Sequence, residues 1–599
     1  MSESASLVRA LRLGVILLCL PLTTIVPLGK AAVTETSLPA RNMTKGVHYV
    51  GSKACATCHA AIFKSFRQTA MGRSMATGND PSLASVPAPA TVYDKDLGQY
   101  FEVLRKDGQL YQSQYALDSS GKELFRQTWK MDYAVGAGEN GIGFILQRDG
   151  PRGHFLFEAP LSYYSQAQRW SFSPGYDLQN RGFSRPILAQ CIACHSGQPA
   201  PVSGQVGLYR DPPFDELAVG CENCHGPGAL HITEQTAKRV SGQKTASPSI
   251  VNPAHLSGWL TDNICMRCHQ GKDVRVNPSG MSDQDFRPGM PLDKVVSIFK
   301  LPVDAQSGSD TALLEHYYGM TISKCYRSTT GGLHCTSCHD PHVQPSGQMA
   351  VTYYRARCLT CHNEQSCGLP REKRLSASPT DDCIGCHMPK RTIATIAHGA
   401  LTDHSIPARR GSAPPSASAK LLHLSAPFGQ RDDLSSVPPS VLMQVYETLA
   451  RDGHEEFRGP LDQILDQLAH TKPMDPLVLR ALARRSSAQD SHQEQAIQNM
   501  TQALRVSPAN VDDLIFLGEL NISQGHSREA VESLEKARTV NPNVREIYEL
   551  LSEQFMKTGD YRSALNVLKE GIALFPDAAN LHTLDQKARS ATLDGMMSR

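Results

Sequence analysis

The pattern Cys-x-x-Cys-His occurs seven times in the first two-thirds of this chain: Cys55–Cys58–His59, Cys191–Cys194–His195, Cys221–Cys224–His225, Cys265–Cys268–His269, Cys335–Cys338–His339, Cys358–Cys361–His362 and Cys383–Cys386–His387. With 17 Cys and 22 His in 599 residues, chance would supply roughly 0.02 such motifs. The spacing has a chemical purpose. Two cysteines three apart on a helical turn share a face, so both sulfurs can form thioethers to the vinyl groups of one haem. The histidine that follows swings beneath the porphyrin as proximal iron ligand. Zinc ribbons, dithiol redox sites and disulfide frameworks also use cysteine pairs, but none needs a histidine after the second cysteine at each copy. The cofactor expected is c-type haem, seven per chain, and the chemistry expected is that of electrons. Between 190 and 410 the chain is short of apolar runs, so packed porphyrins would provide the buried apolar surface.

Export is expected on independent grounds. Arg9 and Arg12 precede an apolar run from Leu13 to Leu20, and the small residues Gly29, Ala31 and Ala32 follow as a cleavage site. This predicts a signal peptide over 1–32 and a periplasmic destination, where c-type haems are attached. The run is short for a membrane span and is broken by Pro21 and Pro27. Left uncleaved, it would instead anchor the chain and associate it with a membrane complex. The net charge of +2 gives no reason to expect a nucleic-acid partner. Outside the motifs and the signal, only Cys325 and Cys367 remain, and in an exported protein the pair predicts a disulfide.

Residues 33–410 form the expected seven-haem domain. A gap of 136 residues separates the first motif from the second, and within it the periodicity changes. Two apolar runs flank Asp107-Gly108, and two more flank Asp149-Gly150, which predicts hairpins and a small β-rich insertion over about 90–170, as a docking surface or a lid over the first haem. The other six motifs follow at gaps of 30, 44, 70, 23 and 25 residues, which forces their haems close together. Pro, Ser and Ala then dominate 411–440, a predicted linker. Beyond it, Pro508, Pro542 and Pro576 stand 34 apart, as do Ala496, Ala530 and Ala564, and Met500, Leu534 and Leu568. Ala503, Ala537 and Gly571 keep the same step, and so do Gly525 and Gly559. That period predicts a tetratricopeptide solenoid over 441–599. The fold class expected is mainly α: a haem-packed cytochrome domain with a β-rich insertion, then a helical solenoid that holds a redox protein partner.

An electron-carrying iron favours two strong axial ligands. Candidate distal histidines are His231, His316, His342, His398 and His404, with less contextual support for His48, His154, His255, His334 and His423. Near the first motif, Met71 or Met75 could supply a thioether instead, against His48. The first haem is therefore the candidate for an open or unusual iron.

The stretches Cys221-Glu-Asn-Cys-His-Gly-Pro-Gly-Ala-Leu-His231, Cys335-Thr-Ser-Cys-His-Asp-Pro-His342 and Cys383-Ile-Gly-Cys-His-Met-Pro-Lys resemble multihaem cytochromes related to the tetrahaem cytochrome c of nitrifying bacteria. The resemblance extends over about 48–410 and the repeats. It implies stacked and perpendicular haem pairs, mostly bis-histidine ligation, and distal roles for His231, His316, His342, His398 and His404. It implies electron transfer as the function class. The alternative is an oxidoreductase acting on a small nitrogen or sulfur compound at an open first haem. No motif ends in Lys, the mark of the catalytic haem in pentahaem nitrite reductase.

Overall fold

The computed structural model describes residues 40–597 except 151, 177–178, 242–247, 271–273, 302–314, 391–401 and 409–419. The signal segment lies outside that range. Fifteen strands are described. A four-stranded antiparallel meander holds β2 (Ala90–Asp94), β3 (Gln99–Lys106), β4 (Gln109–Leu117) and β5 (Glu123–Lys130), with β1 (Met75–Thr77) preceding it in the chain. A six-stranded sheet runs in the order β1, β6 (Tyr133–Val135), β7 (Gly143–Gly150), β8 (Gly153–Glu158), β12 (Leu208–Ala218) and β11 (Ser196–Pro201). Between β8 and β11 in the chain lies the short hairpin β9 (Leu161–Tyr164) and β10 (Arg169–Phe172). The turn between β3 and β4 is Asp107-Gly108, with φ of 51° and 80°. Positive φ at both positions is what a two-residue hairpin with right-twisted strands requires.

The six-stranded sheet buries both faces, and the alternation of β7 and β8 shows how. Phe144, Leu146, Phe155 and Phe157 face the meander's Phe101, Val103 and Leu110. Ile145 and Leu156 point the other way, onto Ile192 inside the second haem motif. The β-rich region is thus wider than 90–170, because β1, β11 and β12 belong to it. It packs against the second motif through Ile192.

The region from 411 to 440, predicted as a linker, is folded from residue 420 onward. Here β15 (Leu422–His423) pairs with β14 (Ser297–Lys300), which pairs with β13 (Val274–Val276). Leu421 and Val437 join Val274, Val276 and Phe299 in a core that continues into Val441, Val445 and Leu449. Prolines set the local composition, but the sparse apolar residues between them carry the packing.

From 439 the chain is helical. Pairs form between Pro439–Arg451 and Arg458–Thr471, Pro476–Ser487 and Gln493–Val506, Val511–Ser523 and Ser527–Val540, and Arg545–Lys557 and Tyr561–Leu574, with Ala579–Met597 closing the stretch. The expected step of 34 is realised in the helix ends themselves: Val511 to Arg545 and Ser527 to Tyr561. Ala496, Ala530 and Ala564 are fully buried, as are Met500, Leu534 and Leu568. Gly525 and Gly559 both sit at φ +77° between paired helices, a conformation that disfavours any Cβ. Asn510 and Asp560 cap the helices that follow them through side-chain acceptance from Asp513 and Ser563 N–H.

The inter-pair turns of this helical stretch rest on the β-rich region. Arg148 of β7, 7% exposed, donates to Asn543 Oδ1 at 3.1 Å and to the Phe183 carbonyl at 3.1 Å. Its guanidinium lies 4.4 Å over Trp129 and 4.7 Å over Phe157. Gln114 reaches Asp577 at 3.4 Å.

Candidate haem-binding lattice

Each motif is built on one turn of helix. The histidine N–H donates to the carbonyl of the first cysteine at 2.9 or 3.0 Å from His59 to Cys55, His225 to Cys221, His339 to Cys335 and His362 to Cys358, while His269 and His387 each end a helix that contains their cysteines. His195 donates to Ile192 at 3.0 Å instead. That turn leaves both cysteines on one side, as thioether formation requires. Among the described residues, no group of three or more His, Cys, Asp or Glu side chains is arranged to hold a bare metal ion.

The motifs touch one another. Cys55 and Cys221 share a thiol hydrogen bond, which pushes Cys55 up and draws Cys221 down. The same contact joins Cys194 to Cys268, Cys265 to Cys335, and Cys358 to Cys383. Cys224 lies within electrostatic reach of Cys265, and Cys338 of Cys361. The seven motifs therefore form one connected lattice: first to third, third to fourth, fourth to fifth, fifth to sixth, sixth to seventh, with the second attached at the fourth.

Residues within and beside the motifs fasten this lattice, and sequence reasoning missed them. Glu222, between the cysteines of the third motif, is 1% exposed and accepts N–H bonds from Val50, Gly51 and Gly228. It thereby holds the segment that leads into the first motif. Burial raises its pKa despite those donors. Its neighbour Asn223 donates to the Gly197 carbonyl at 2.9 Å, beside the second motif. Ser52 Oγ accepts the Cys221 N–H at 2.9 Å, and Asp262 accepts the Cys335 N–H at 2.9 Å. At the far end Arg355 and Arg374 bind both Glu364 and Asp381, a network spanning the sixth and seventh motifs. A Glu or Asn inside the motif gives no local sign of such a role; only its burial does.

The candidate axial histidines separate by which ring nitrogen is engaged. Nδ1 of His225 faces the Val251 carbonyl at 2.9 Å, His387 that of Pro407 at 2.9 Å and His404 that of Thr402 at 2.8 Å. His231 Nδ1 meets Ser249 Oγ at 3.2 Å, His342 meets Asp340 at 3.2 Å and His339 meets the Tyr354 hydroxyl at 3.3 Å. A partner at Nδ1 fixes the ring and leaves Nε2 for iron. His423 is the opposite case: Ser425 occupies its Nε2 at 3.0 Å, and its ring stacks on Phe299. Asp149 and Asp211 bracket both nitrogens of His154. His334 places Nδ1 at the Gly332 carbonyl but caps the helix of its own motif, and His255 is exposed.

Several of these rings are brought together. His225 and His342 have centroids 6.1 Å apart with planes 14° from parallel. His339 and His404 are 6.4 Å apart, and His269 and His316 are 5.2 Å apart. Two imidazoles sharing one metal at about 2 Å each place their centroids roughly 6 Å apart, so the first two pairs fit a haem iron between them. Burial leads the downward shift of His316 to about 2 and of His339 to about 4, and it lowers His225, His269 and His404 too. Neutral imidazole is the form that coordinates iron.

His231 lies within electrostatic reach of His59. Met71 opens the turn Met71–Arg73, and the next residue, Ser74, donates to the His195 carbonyl at 2.7 Å. That segment is anchored at the second motif. Met75 is 4% exposed and packs in the core with Ile145 and Leu156. His48 meets Ala229 only through its backbone carbonyl among its backbone bonds. His398 lies outside the described residues. Cys325 and Cys367 are both free, contrary to the disulfide expectation. Cys325 faces Cys338 and Cys361 instead, because the helix Lys324–Ser328 turns it toward the fifth and sixth motifs.

Known proteins are similar to separate stretches of this chain. A family described as doubled CXXCH motif matches residues 328–367, and one described as cytochrome c554 and c-prime matches 177–226. The C-type polyheme cytochrome OmcC of Geobacter sulfurreducens is 27% identical over 105 residues, which is 13% of this chain and 14% of that protein. The chain thus spans only a small part of that relative's length. Among solved structures, a crystal structure of MamA protein aligns at a TM-score of 0.23 and 14% identity, covering 26% of this chain and 82% of that one. A second MamA structure, MSR-1 C2, gives 0.23 and 16%, covering 26% and 86%. Two stretches of this chain, 177–226 and 328–367, are thus similar to c-type cytochromes that carry several haems, in keeping with the motifs and the paired imidazoles.

Proposed function

We propose that the chain is a periplasmic cytochrome that conducts electrons along seven covalently bound haems, related to the tetrahaem cytochromes of nitrifying bacteria. The observation that carries this is the connected lattice of motifs, since porphyrins attached at cysteines in contact or within electrostatic reach would be neighbours. The path runs first, third, fourth, fifth, sixth, seventh, with the second haem as a branch at the fourth. His231 is the distal ligand of the first haem, His342 of the third, His316 of the fourth and His404 of the fifth. His398 serves one of the remaining haems.

Haem supplies the reversible one-electron iron couple; the chain's own residues do the rest. Carbonyls and carboxylates at Nδ1 hold the imidazoles in one tautomer, so coordination need not change on reduction. The ties from Glu222, Asn223 and Asp262 hold neighbouring motifs in fixed register. Two histidines on an iron leave no position for a substrate, which favours a carrier over a catalyst. His231, within electrostatic reach of His59, would do the same at the first haem. The helical stretch from 439 onward, with its step of 34 residues, is read as a tetratricopeptide array that retains a redox protein in a larger assembly.

A pyridine haemochrome assay on the exported holoprotein is expected to give seven haems per chain, with low-spin spectra dominant. Two haems or fewer would refute the count. A dominant high-spin signal that shifts with nitrite or hydroxylamine would favour the catalytic reading.

A further inference from the structure

The surface around the first motif carries charge of one sign. Between Tyr49 and Thr77 the chain has Lys53, Lys64, Arg67 and Arg73 and no Asp or Glu. Lys53 lies on the helix Ser52–Ala56, three residues before the motif's first turn closes, while Lys64 and Arg67 lie on and just after the helix Ala60–Phe66. All three are exposed, and Ile62, on the same helix as Lys64, is 47% exposed. Arg73 is matched by Glu139 at 3.4 Å, but among the described residues Lys53, Lys64 and Arg67 have no ion-pair partner. The acids packed nearest are turned inward: Glu222 is buried on backbone N–H groups, and Glu216 accepts the Ser52 N–H at 3.1 Å.

The opposite end of the lattice is different. Arg355 and Arg374 are neutralised by Glu364 and Asp381, and Glu372 and Asp382 lie close in sequence. One end of the path thus carries basic residues with no acid among them in sequence, whereas at the other Arg357, Arg371 and Lys373 are interspersed with Glu364, Glu372, Asp381 and Asp382. Charge of this kind steers an oppositely charged protein and orients it on arrival.

We propose that the exposed basic residues Lys53, Lys64 and Arg67 dock a redox protein whose own docking face is acidic, making the first haem the port through which electrons enter or leave. The proposal rests on the conduction reading above and adds the partner's charge and the point of exchange. Each encounter passes one electron between the partner's centre and the first haem, so one is oxidised as the other is reduced.

The test uses the full holoprotein and stopped-flow reduction by two protein donors, an acidic plant-type ferredoxin and a basic cytochrome c. With the acidic donor the second-order rate is expected to fall at least roughly tenfold from low to high salt, and with the basic donor to stay flat or rise. The variant K53E/K64E/R67E is expected to lose roughly tenfold or more of the acidic-donor rate at low salt. A matched variant at the other end, R357E/R371E/K373E, is expected to lose less than twofold. Dithionite reduction and haem content separate the two ideas: their failure would count against the conduction reading alone. Equal losses at both ends, or no loss at either, would overturn the port. The wild-type salt slopes decide the matter even if a variant does not fold, since an acidic-donor rate indifferent to salt would also overturn it.

Discussion

Substituting Gly571 by alanine isolates the packing rule of the helical array. A Cβ there would lie 2.9 Å from both Cβ and Cγ of Tyr548 on the facing helix. Tyr548 cannot easily yield, because it is fully buried and its hydroxyl is held by the Pro542 carbonyl at 3.0 Å and Glu570 at 3.1 Å. Overpacking of this kind costs about 1–3 kcal/mol. Against it, alanine is favoured over glycine in a helix interior by about 1 kcal/mol. The net expectation is a loss of about 1 kcal/mol in the array. The preceding repeat provides the control. One step of 34 upstream, Ala537 and Leu514 stand where Gly571 and Tyr548 do. The double variant G571A/Y548L recreates that combination. Y548L alone removes ring volume and two hydrogen bonds, at about 2–3 kcal/mol. The double variant should cost less than the sum by about 1 kcal/mol or more. Guanidinium unfolding followed by far-UV ellipticity, with the Soret band read in parallel, separates the array from the haem region. A G571A protein more stable than the parent, or strictly additive costs, would refute the reasoning.

Three further outcomes are expected. Arg148→Leu should weaken the seat of the array on the β-rich region by about 2 kcal/mol, since two charge-assisted hydrogen bonds are lost while the cost of burying the guanidinium is relieved. That burial already draws its pKa down to about 10. Amide exchange over 541–578 should accelerate relative to 493–506, and equal rates would count against the contact. Burial, offset in part by Arg185, pushes the Glu158 carboxyl up from 4.5 to about 7. The native state therefore holds this proton more tightly than the unfolded chain. Its contribution to stability is full below pH 4.5, fades as pH rises through 7, and should vanish from the pH profile of E158Q melting temperatures. Lastly, His342→Ala should convert one haem to high spin without changing covalent haem content, whereas His423→Ala should leave spin state unaltered; electron paramagnetic resonance distinguishes the two.

What was legible in the chain was what is local or periodic. The motifs declare themselves because thioether chemistry and iron ligation share five residues, and the helical repeat because every turn must return a small residue to the same crossing. The Asp107-Gly108 hairpin is local in the same way. Pairing at a distance was not legible. His342 follows its own motif closely, yet its ring meets His225 of another. The spatial order of the motifs depends on Glu222 and Asn223, which occupy positions that the motif leaves free. The Pro-rich segment misled because composition speaks of the majority of residues, while packing depended on Leu421, Leu424 and Val437, each 7% exposed or less. The second face of the central sheet hid for a related reason: β7 reads as a continuous apolar run, with Ile145 between Phe144 and Leu146.

The contact of Arg148 with Asn543 also bears on how the molecule is made. It closes a loop of 395 residues, and the Gln114–Asp577 contact spans 463. Six of the seven haem motifs lie inside that loop. The cost of closing a long flexible loop grows only slowly with its length, so the clasp can be weak and still hold. It cannot fasten until residue 543 has been synthesised and delivered. The six motifs between the two ends of that loop are therefore enclosed by this contact only once the helical array is in place.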